Sequence, residues 1–430
     1  MDASRNQIKI EKKTSLSLQK RIKNIKNLTE FLQKKLTEET SKLLNFCLGG
    51  SICLRASDIH FEPEKKEVCL RLRIDGIMQN ILRFDKKTYN RLISRIKVVS
   101  KLKLNIRDKA QDGRFTIIFE NRPIEVRVST LPSEYGESIV LRLLDPNSLV
   151  EIKDLGIRKK MLEVFNKQIT QPNGMIIVTG PTGSGKTTTL YAILKKLNSP
   201  KIQIITIEDP IEYHLPGISQ TQVNPKKGYT FASGLKAIVR QDPDVILVGE
   251  IRDLETAKIA VQASLTGHLV LTTLHTNNAA GTIARFQALG EKPANIAPAL
   301  NMAIAQRLAR RVCKKCAQYS PLSAAEVEMF KKELKGLPEK NSFPSFNKIK
   351  IARPKGCPEC NFSGYKGRVG IFEFFLNDQE MQEFIMTGPP ISALEKKAVE
   401  KGMIKMRIDG FLKVLEGITT IEEINRITKH

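Results

Sequence analysis

Tryptophan is absent from this 430-residue chain, tyrosine occurs seven times, and aromatics make up only 6%. No aromatic-rich segment could therefore stack a run of nucleic-acid bases. No apolar run approaches the roughly 18 residues a membrane span requires; the longest, such as 175–179, suit buried strands. No secretory leader is expected, because Arg5, Lys9, Lys12 and Lys13 stand near the start and no apolar block follows. The expectation is a protein that stays in the cytoplasm. Seven cysteines are too few for a disulfide scaffold, and in a reducing compartment clustered ones point to metal before disulfide. Carboxylates are in deficit, 45 against 70 Lys and Arg, which leaves a net charge of +25. Such a surface can face nucleic acid, anionic lipid or an acidic protein, and charge alone does not choose.

What is present describes an ordinary globular chain of two or three domains, 41% hydrophobic and 27% charged. Residues 1–50 form a basic helical segment: from 8 to 36, Ile22, Ile25, Leu28, Leu32 and Leu36 recur at helical spacing, either packed on their own domain or serving as a docking arm. A second helix is expected over 37–46, broken by Gly49-Gly50. A small α/β domain follows over 51–147, with strands 68–74 and 77–84 around Asp75-Gly76, a helix over 89–104, a hairpin of 115–119 and 124–128, and a strand over 138–144. Asp145-Pro146-Asn147-Ser148 reads as a boundary. Over 148–312 the short apolar runs 175–179, 202–207, 245–248 and 269–273 alternate with helices, the pattern of a parallel, doubly wound α/β sheet. A Lys-rich, cysteine-punctuated region covers 313–370, and a helical tail with helices near 393–400 and 421–427 covers 371–430.

Gly180-Pro181-Thr182-Gly183-Ser184-Gly185-Lys186-Thr187 fits G-x-x-x-x-G-K-[ST] in full, after an apolar strand and before a helix over 188–197. Its glycines let backbone N–H groups converge on phosphate oxygens, and the helix N-terminus adds partial positive charge. Lys186 is placed to reach the β- and γ-phosphates and Thr187 to hold Mg²⁺, with Thr188 completing the first helical turn of the ATP site. A second strand, Val245-Ile246-Leu247-Val248, ends in Gly249-Glu250. The acid usually found at the position of Gly249 comes one residue later, and Glu250 suits activation of an attacking water.

At this point the chain resembles the type II secretion and type IV pilus assembly ATPases. Thr206-Ile207-Glu208-Asp209-Pro210-Ile211-Glu212-Tyr213 is similar to their aspartate box, Gly249-Glu250-Ile251-Arg252-Asp253 to their Walker B segment, and the stretch from Thr266-Gly267-His268 to His275-Thr276-Asn277 to their histidine box. Ala56-Ser57-Asp58-Ile59-His60, Gln111-Asp112-Gly113-Arg114 and Val128-Ser129-Thr130-Leu131-Pro132 match the domain before the motor, and the likeness runs over about 56–426. Lys236, Ala110 and Asn278 depart from the arginine, proline and aspartate usual there. The resemblance implies a RecA-like phosphate-loop domain preceded by a small PAS-like α/β domain. It implies that Glu208, Asp209 and Glu212 order Mg²⁺ and its waters, and that His268 and His275 sense the γ-phosphate. It further implies that Arg240, Arg252 and Arg285 act within the motor, while Arg127 and Arg142 complete a site held by a neighbouring motor domain.

Cys313-x₂-Cys316 and Cys357-x₂-Cys360 form two knuckles that together suit one closed Zn²⁺ site, with 317–356 inserted between them. The resemblance implies such a finger for secretion and assembly members. Cys47, Cys53 and Cys69 read as small core residues. By the same resemblance the chain is a homo-hexameric ATPase under the cytoplasmic face of the bacterial inner membrane. It would power a secretion pseudopilus, a pilus or a DNA-uptake pilus through an inner-membrane platform protein and a membrane-anchored docking protein, without binding nucleic acid. The rival readings are a nucleic-acid translocating motor and a catalytically weak scaffold.

Overall fold

The basic N-terminal stretch folds as two helices and a strand rather than one long helix, in a computed structural model that describes residues 6–335, 337 and 346–429. Strand β1 (Gln7–Lys9) precedes α1 (Lys12–Arg21) and α2 (Ile25–Gln33), and the break between the helices is set by Asn24, whose side chain accepts the Asn27 N–H at 2.9 Å. Leu18, Ile22, Leu28 and Leu32 are buried in the same core as the strands that follow, so the segment packs on its own domain. Helix α3 (Thr40–Cys53) runs straight through Gly49-Gly50, where a break was expected. Neighbouring helices impose these glycines: a Cβ at Gly49 would lie 2.5 Å from Leu18 Cδ1, and one at Gly50 2.4 Å from Leu28 Cδ1. Close helix approach, not a turn, is what they permit.

Strands β2 (Asp58–Pro63), β3 (Glu67–Ile74), β4 (Ile77–Asp85), β5 (Gln111–Phe119), β6 (Arg122–Ser133) and β7 (Gly136–Leu144) join β1 in a sheet of order β1-β5-β6-β7-β2-β3-β4. All its pairs are antiparallel except β1 on β5. One face of the sheet is apolar: Ile59, Phe61, Ile124, Val126, Val128 and Leu141 are buried with Tyr89, Leu92 and Ile96 of α4 (Lys86–Val99). Strand alternation therefore leaves the intervening Arg127 and Arg142 on the other face.

The second sheet has the order β10-β9-β11-β12-β8-β13-β16. Its strands are β8 (Gly174–Thr179), β9 (Ile204–Glu208), β10 (Ser219–Gln222), β11 (Val245–Val248), β12 (Leu269–Leu274), β13 (Leu300–Val312) and β16 (Tyr365–Leu376). Successive pairs from β10 to β13 are parallel. Helices α5 (Lys159–Ile169), α6 (Lys186–Leu197), α7 (Phe231–Val239), α8 (Leu254–Leu265), α9 (Gly281–Leu289) and α10 (Pro293–Ala299) cover both faces. Ile176 and Val178 point into one core with Leu190 and Ile193 of α6, while Met175 and Ile177 point into another with Val261 and Ile283. Apolar side chains on both sides explain the uninterrupted apolar runs of these strands and confirm the doubly wound α/β class.

The insertion between the knuckles carries β14 (Gln318–Pro321), α11 (Ala324–Glu333) and β15 (Lys350–Arg353), with β14 and β15 antiparallel. The tail holds α12 (Gln379–Met386), α13 (Ile391–Glu400), α14 (Met406–Leu415) and α15 (Ile421–Thr428). The chain forms two compact units. One runs to Ser148 and includes Cys313–Ala317 and Pro354–Gly367; the other takes Leu149–Val312, Gln318–Arg353 and the chain from Arg368. The knuckles group with the N-terminal unit and the insertion between them with the second. No helix among the described residues is long and apolar enough to cross a membrane.

A buried carboxylate pins the tail to the second unit. Glu423, 1% exposed, accepts the Arg310 N–H at 2.9 Å, Arg310 Nη2 at 2.8 Å and Arg426 Nη2 at 2.6 Å. Burial pushes its pKa up, but Arg426 and Arg310 outweigh burial and bring it from 4.5 to about 2. A depressed carboxylate stabilises the fold fully above its unfolded pKa and loses that contribution as pH falls toward the folded value. Glu423→Ala should lower unfolding stability by about 1–3 kcal/mol, because it removes the charge-assisted bonds to the half-buried Arg310 and the exposed Arg426. Denaturant melts at pH 7 check this, and the gap between variant and wild type should narrow below pH 4.5.

Candidate nucleotide and metal sites

Strand β8 delivers the chain to the phosphate loop, and three glycines there adopt backbone angles that side chains disfavour: φ is +148° at Gly180, +80° at Gly183 and +90° at Gly185. Space is also short, since a Cβ at Gly180 would meet the Gln306 carbonyl oxygen at 2.6 Å. Gly185 caps α6, whose first turn carries Lys186, Thr187 and Thr188, while Pro181, Thr182 and Gly183 form the exposed rim. The Ser184 hydroxyl is buried and has no partner among the described residues, so the cradle retains a donor for a phosphate oxygen. Lys186 Nζ donates to the Gly180 carbonyl at 2.8 Å. Burial lowers its pKa, opposed by Glu250 and Glu212 and reinforced by Arg307.

Parallel register aligns three strand ends beside this loop, because Val248 pairs with Thr272 and Thr272 with Ile177. Glu250, just past β11, and His275, just past β12, are thereby brought together, with His275 Nε2 3.6 Å from Glu250 Oε2. Arg252 Nη2 lies 2.6 Å from Glu250 Oε1, and that bond raises the arginine's pKa. The Glu250 side chain is only 13% exposed. Asp209 adds negative charge near Arg252. The Asp209-Pro210 peptide is cis.

The other expected members differ in place or in partners. His268 precedes β12 at the opposite end of the sheet, where its carbonyl accepts the Gly174 N–H at 3.2 Å and its Nδ1 lies 3.0 Å from the Ala263 carbonyl. The six residues of β8 at about 3.3 Å each separate that end from the loop by about 20 Å. Both histidines were expected at the phosphate, but of the two only His275 stands at the loop end of the sheet. Glu208 is buried, and its oxygens accept from Tyr191 Oη, Thr206 Oγ1 at 2.6 Å and Gln220 Nε2 at 3.2 Å. A carboxylate held by three donors braces the end of β9. Arg240 and Arg285 are exposed and make no side-chain hydrogen bond or ion pair among the described residues. Lys236 pairs with Glu255 at 2.5 Å, and Asn278 Oδ1 accepts the Gly281 N–H at 2.9 Å, the capping work an aspartate would do. Arg307 was missed: it is 6% exposed, its Nη2 donates to the Asn277 carbonyl at 3.2 Å, and it lies against Gly180.

The four knuckle cysteines converge. All four sulfur atoms lie within 4.8 Å of one another, with Cys313–Cys357 at 3.9 Å and Cys316–Cys360 at 3.7 Å. A tetrahedral Zn²⁺ with bonds of about 2.3 Å spaces its sulfurs by about 3.8 Å, so the donor set fits. The Cys357 and Gly364 N–H groups point at Cys360 Sγ at 3.1 and 3.3 Å, an arrangement that stabilises a thiolate. Lys315 lies 2.7 Å from Glu359 beside them.

A family model described as type II/IV secretion system protein matches residues 33–426. The chain belongs to that family. The type II secretion system ATPase E of Vibrio cholerae is 46% identical over 389 residues, covering 90% of this chain and 75% of that protein. The type IV pilus assembly ATPase PilB of Acinetobacter baylyi is 43% identical over 389 residues, covering 90% and 66% respectively. Among solved structures, the pilus retraction motor PilT with bound ADP superposes with a TM-score of 0.60 at 26% identity, covering 89% of this chain and 96% of that one. This secretion ATPase therefore carries its intact phosphate loop in the fold of its relatives, and it hydrolyses ATP. In its N-terminal unit, Arg127 and Arg142 stand directly opposite each other on β6 and β7.

Proposed function

We propose that this secretion ATPase works as a homo-hexameric ring at the cytoplasmic face of the bacterial inner membrane, and that hydrolysis drives a pilus or pseudopilus through an inner-membrane platform protein. The observation that carries the reading is the convergence of Lys186, Glu250, Arg252 and His275 at one end of the sheet, in a chain similar to a secretion ATPase and a pilus assembly ATPase. Glu250 takes the proton of the attacking water, Arg252 and His275 hold its two oxygens in place, and Lys186 steadies the phosphates. Thr187, Asp209 and Glu212 would hold Mg²⁺, whose charge offsets that of the leaving phosphate. Arg127 and Arg142 supply cations to a site on a neighbouring subunit. The zinc knuckles are structural, and a membrane-anchored partner docks the ring.

Purified protein should hydrolyse ATP and run at the mass of six 48.4 kDa chains when nucleotide is present. The cytoplasmic part of a platform protein should raise turnover. Stimulation by duplex DNA with a steep salt dependence, and none by the platform protein, would overturn this reading in favour of a nucleic-acid motor.

A further inference from the structure

The face of the N-terminal sheet opposite its core carries an unusual row. Register pairs Arg114 with Arg127, Arg127 with Arg142, Arg142 with Asp58 and Asp58 with Arg73. Directly paired residues share a face about 4.5–5.5 Å apart. Four arginines and one carboxylate therefore line up across five adjacent strands. Asp58 is the acid in that line, and its side chain is only 6% exposed. Its Oδ1 accepts Arg142 Nε at 2.9 Å, its Oδ2 accepts the Ser57 hydroxyl at 2.8 Å, and Arg73 Nε lies 3.4 Å from Oδ2.

The atom used on Arg142 matters. A carboxylate can take an arginine by both terminal amino groups, as Glu326 takes Arg353, or by Nε and one of them, as Glu423 takes Arg310. Here Asp58 takes Nε, the terminal amino groups of Arg142 have no partner among the described residues, and the side chain is 56% exposed. The fork that matches a phosphate is thus fixed at its base and left open at its tip. Arg73 offsets the second oxygen of Asp58 and donates its own Nη1 to the Gly76 carbonyl at 3.2 Å.

We propose that Asp58 is a positioning residue of the ATPase reaction: it grips Arg142 at Nε and aims the terminal amino groups at the phosphate of ATP. This rests on the reading of Arg142 as a cation that stabilises the transferring phosphate. Steady-state hydrolysis by the full chain tests it in Asp58→Ala, Asp58→Asn, Arg142→Ala and the double variant Asp58→Ala/Arg142→Ala. Misaimed groups cost about tenfold to a hundredfold in rate, so kcat of Asp58→Ala should fall by about that factor while KM for ATP stays within about twofold. Asp58→Asn, which keeps an oxygen for Nε, should recover part of the loss. The double variant should be no slower than Arg142→Ala, because Asp58 acts through that arginine. If Asp58→Ala does not fold, the same cycle is run with Asp58→Asn, whose smaller loss should likewise vanish in the Arg142→Ala background. Wild-type kcat for the Asp58 variants beside a slow Arg142→Ala overturns the positioning role alone, as does a double variant slower by the full Asp58 factor. A wild-type rate for Arg142→Ala overturns the arginine reading and this proposal with it.

Discussion

Replacing Glu250 by glutamine should leave ATP binding intact and lower turnover by roughly a hundredfold to ten-thousandfold, the range a general base contributes. The side chain keeps its size, so Arg252 and His275, now 2.6 and 3.6 Å away, meet an amide oxygen or nitrogen in place of a carboxylate. What disappears is the proton acceptor. The phosphate loop, the twelve residues of α6 and the Ser184 hydroxyl are untouched, so nucleotide affinity measured by fluorescent ATP analogues should change little. Lys186→Ala should show the reverse split, losing affinity together with turnover. If Glu250→Gln hydrolyses ATP within a few-fold of wild type, the base is another group.

Removing the metal should have a comparably large effect on stability. Protein purified under reducing conditions should carry about one Zn²⁺ per chain, and structural zinc sites in small domains contribute on the order of 10 kcal/mol. Without the ion, four sulfurs within 4.8 Å of one another lose the charge that holds them together. The knuckles do more than close on themselves. Asn361, with φ of +52°, accepts the Ile25 N–H at the start of α2 at 2.6 Å, and Asp75 of the β3–β4 turn accepts the Gly367 N–H at 2.8 Å. Chelation should therefore lower the melting temperature of the N-terminal unit and expose four further thiols to a thiol reagent. Cys47 should stay slow, because burial pushes its pKa up to about 12. A Cys313→Ser variant as stable as wild type, or metal-free protein with unchanged melting, would contradict the zinc assignment.

The phosphate loop and the four parallel strands around it were legible in the sequence because each rests on short-range patterns: an apolar run, a glycine string, a helix start. The cysteine knuckles were legible for the same reason. What escaped depends on distant parts of the chain. Gly49-Gly50 looks like a break until Leu18 and Leu28 are seen pressed against it. Strand β13, rich in small residues at Ala303, Ala305 and Ala309, lacks the bulky alternation of a strand, and Arg307 was hidden with it. His268 and His275 sit in one sequence box, but β12 lies between them, and seven residues of extended chain place them about 23 Å apart. The arginine row exists only through register across five strands, which no local pattern encodes.

The most direct test of the account mixes two inactive variants, Arg142→Ala and Lys186→Ala, in equal amounts before rings assemble. A cation from outside the phosphate loop can speed phosphoryl transfer by about 10³–10⁵-fold. If Arg142 serves the site of a neighbouring subunit, mixed rings contain interfaces with both groups intact, and hydrolysis should return to a sizeable fraction of the wild-type rate. Mixtures as inactive as either variant alone would contradict it.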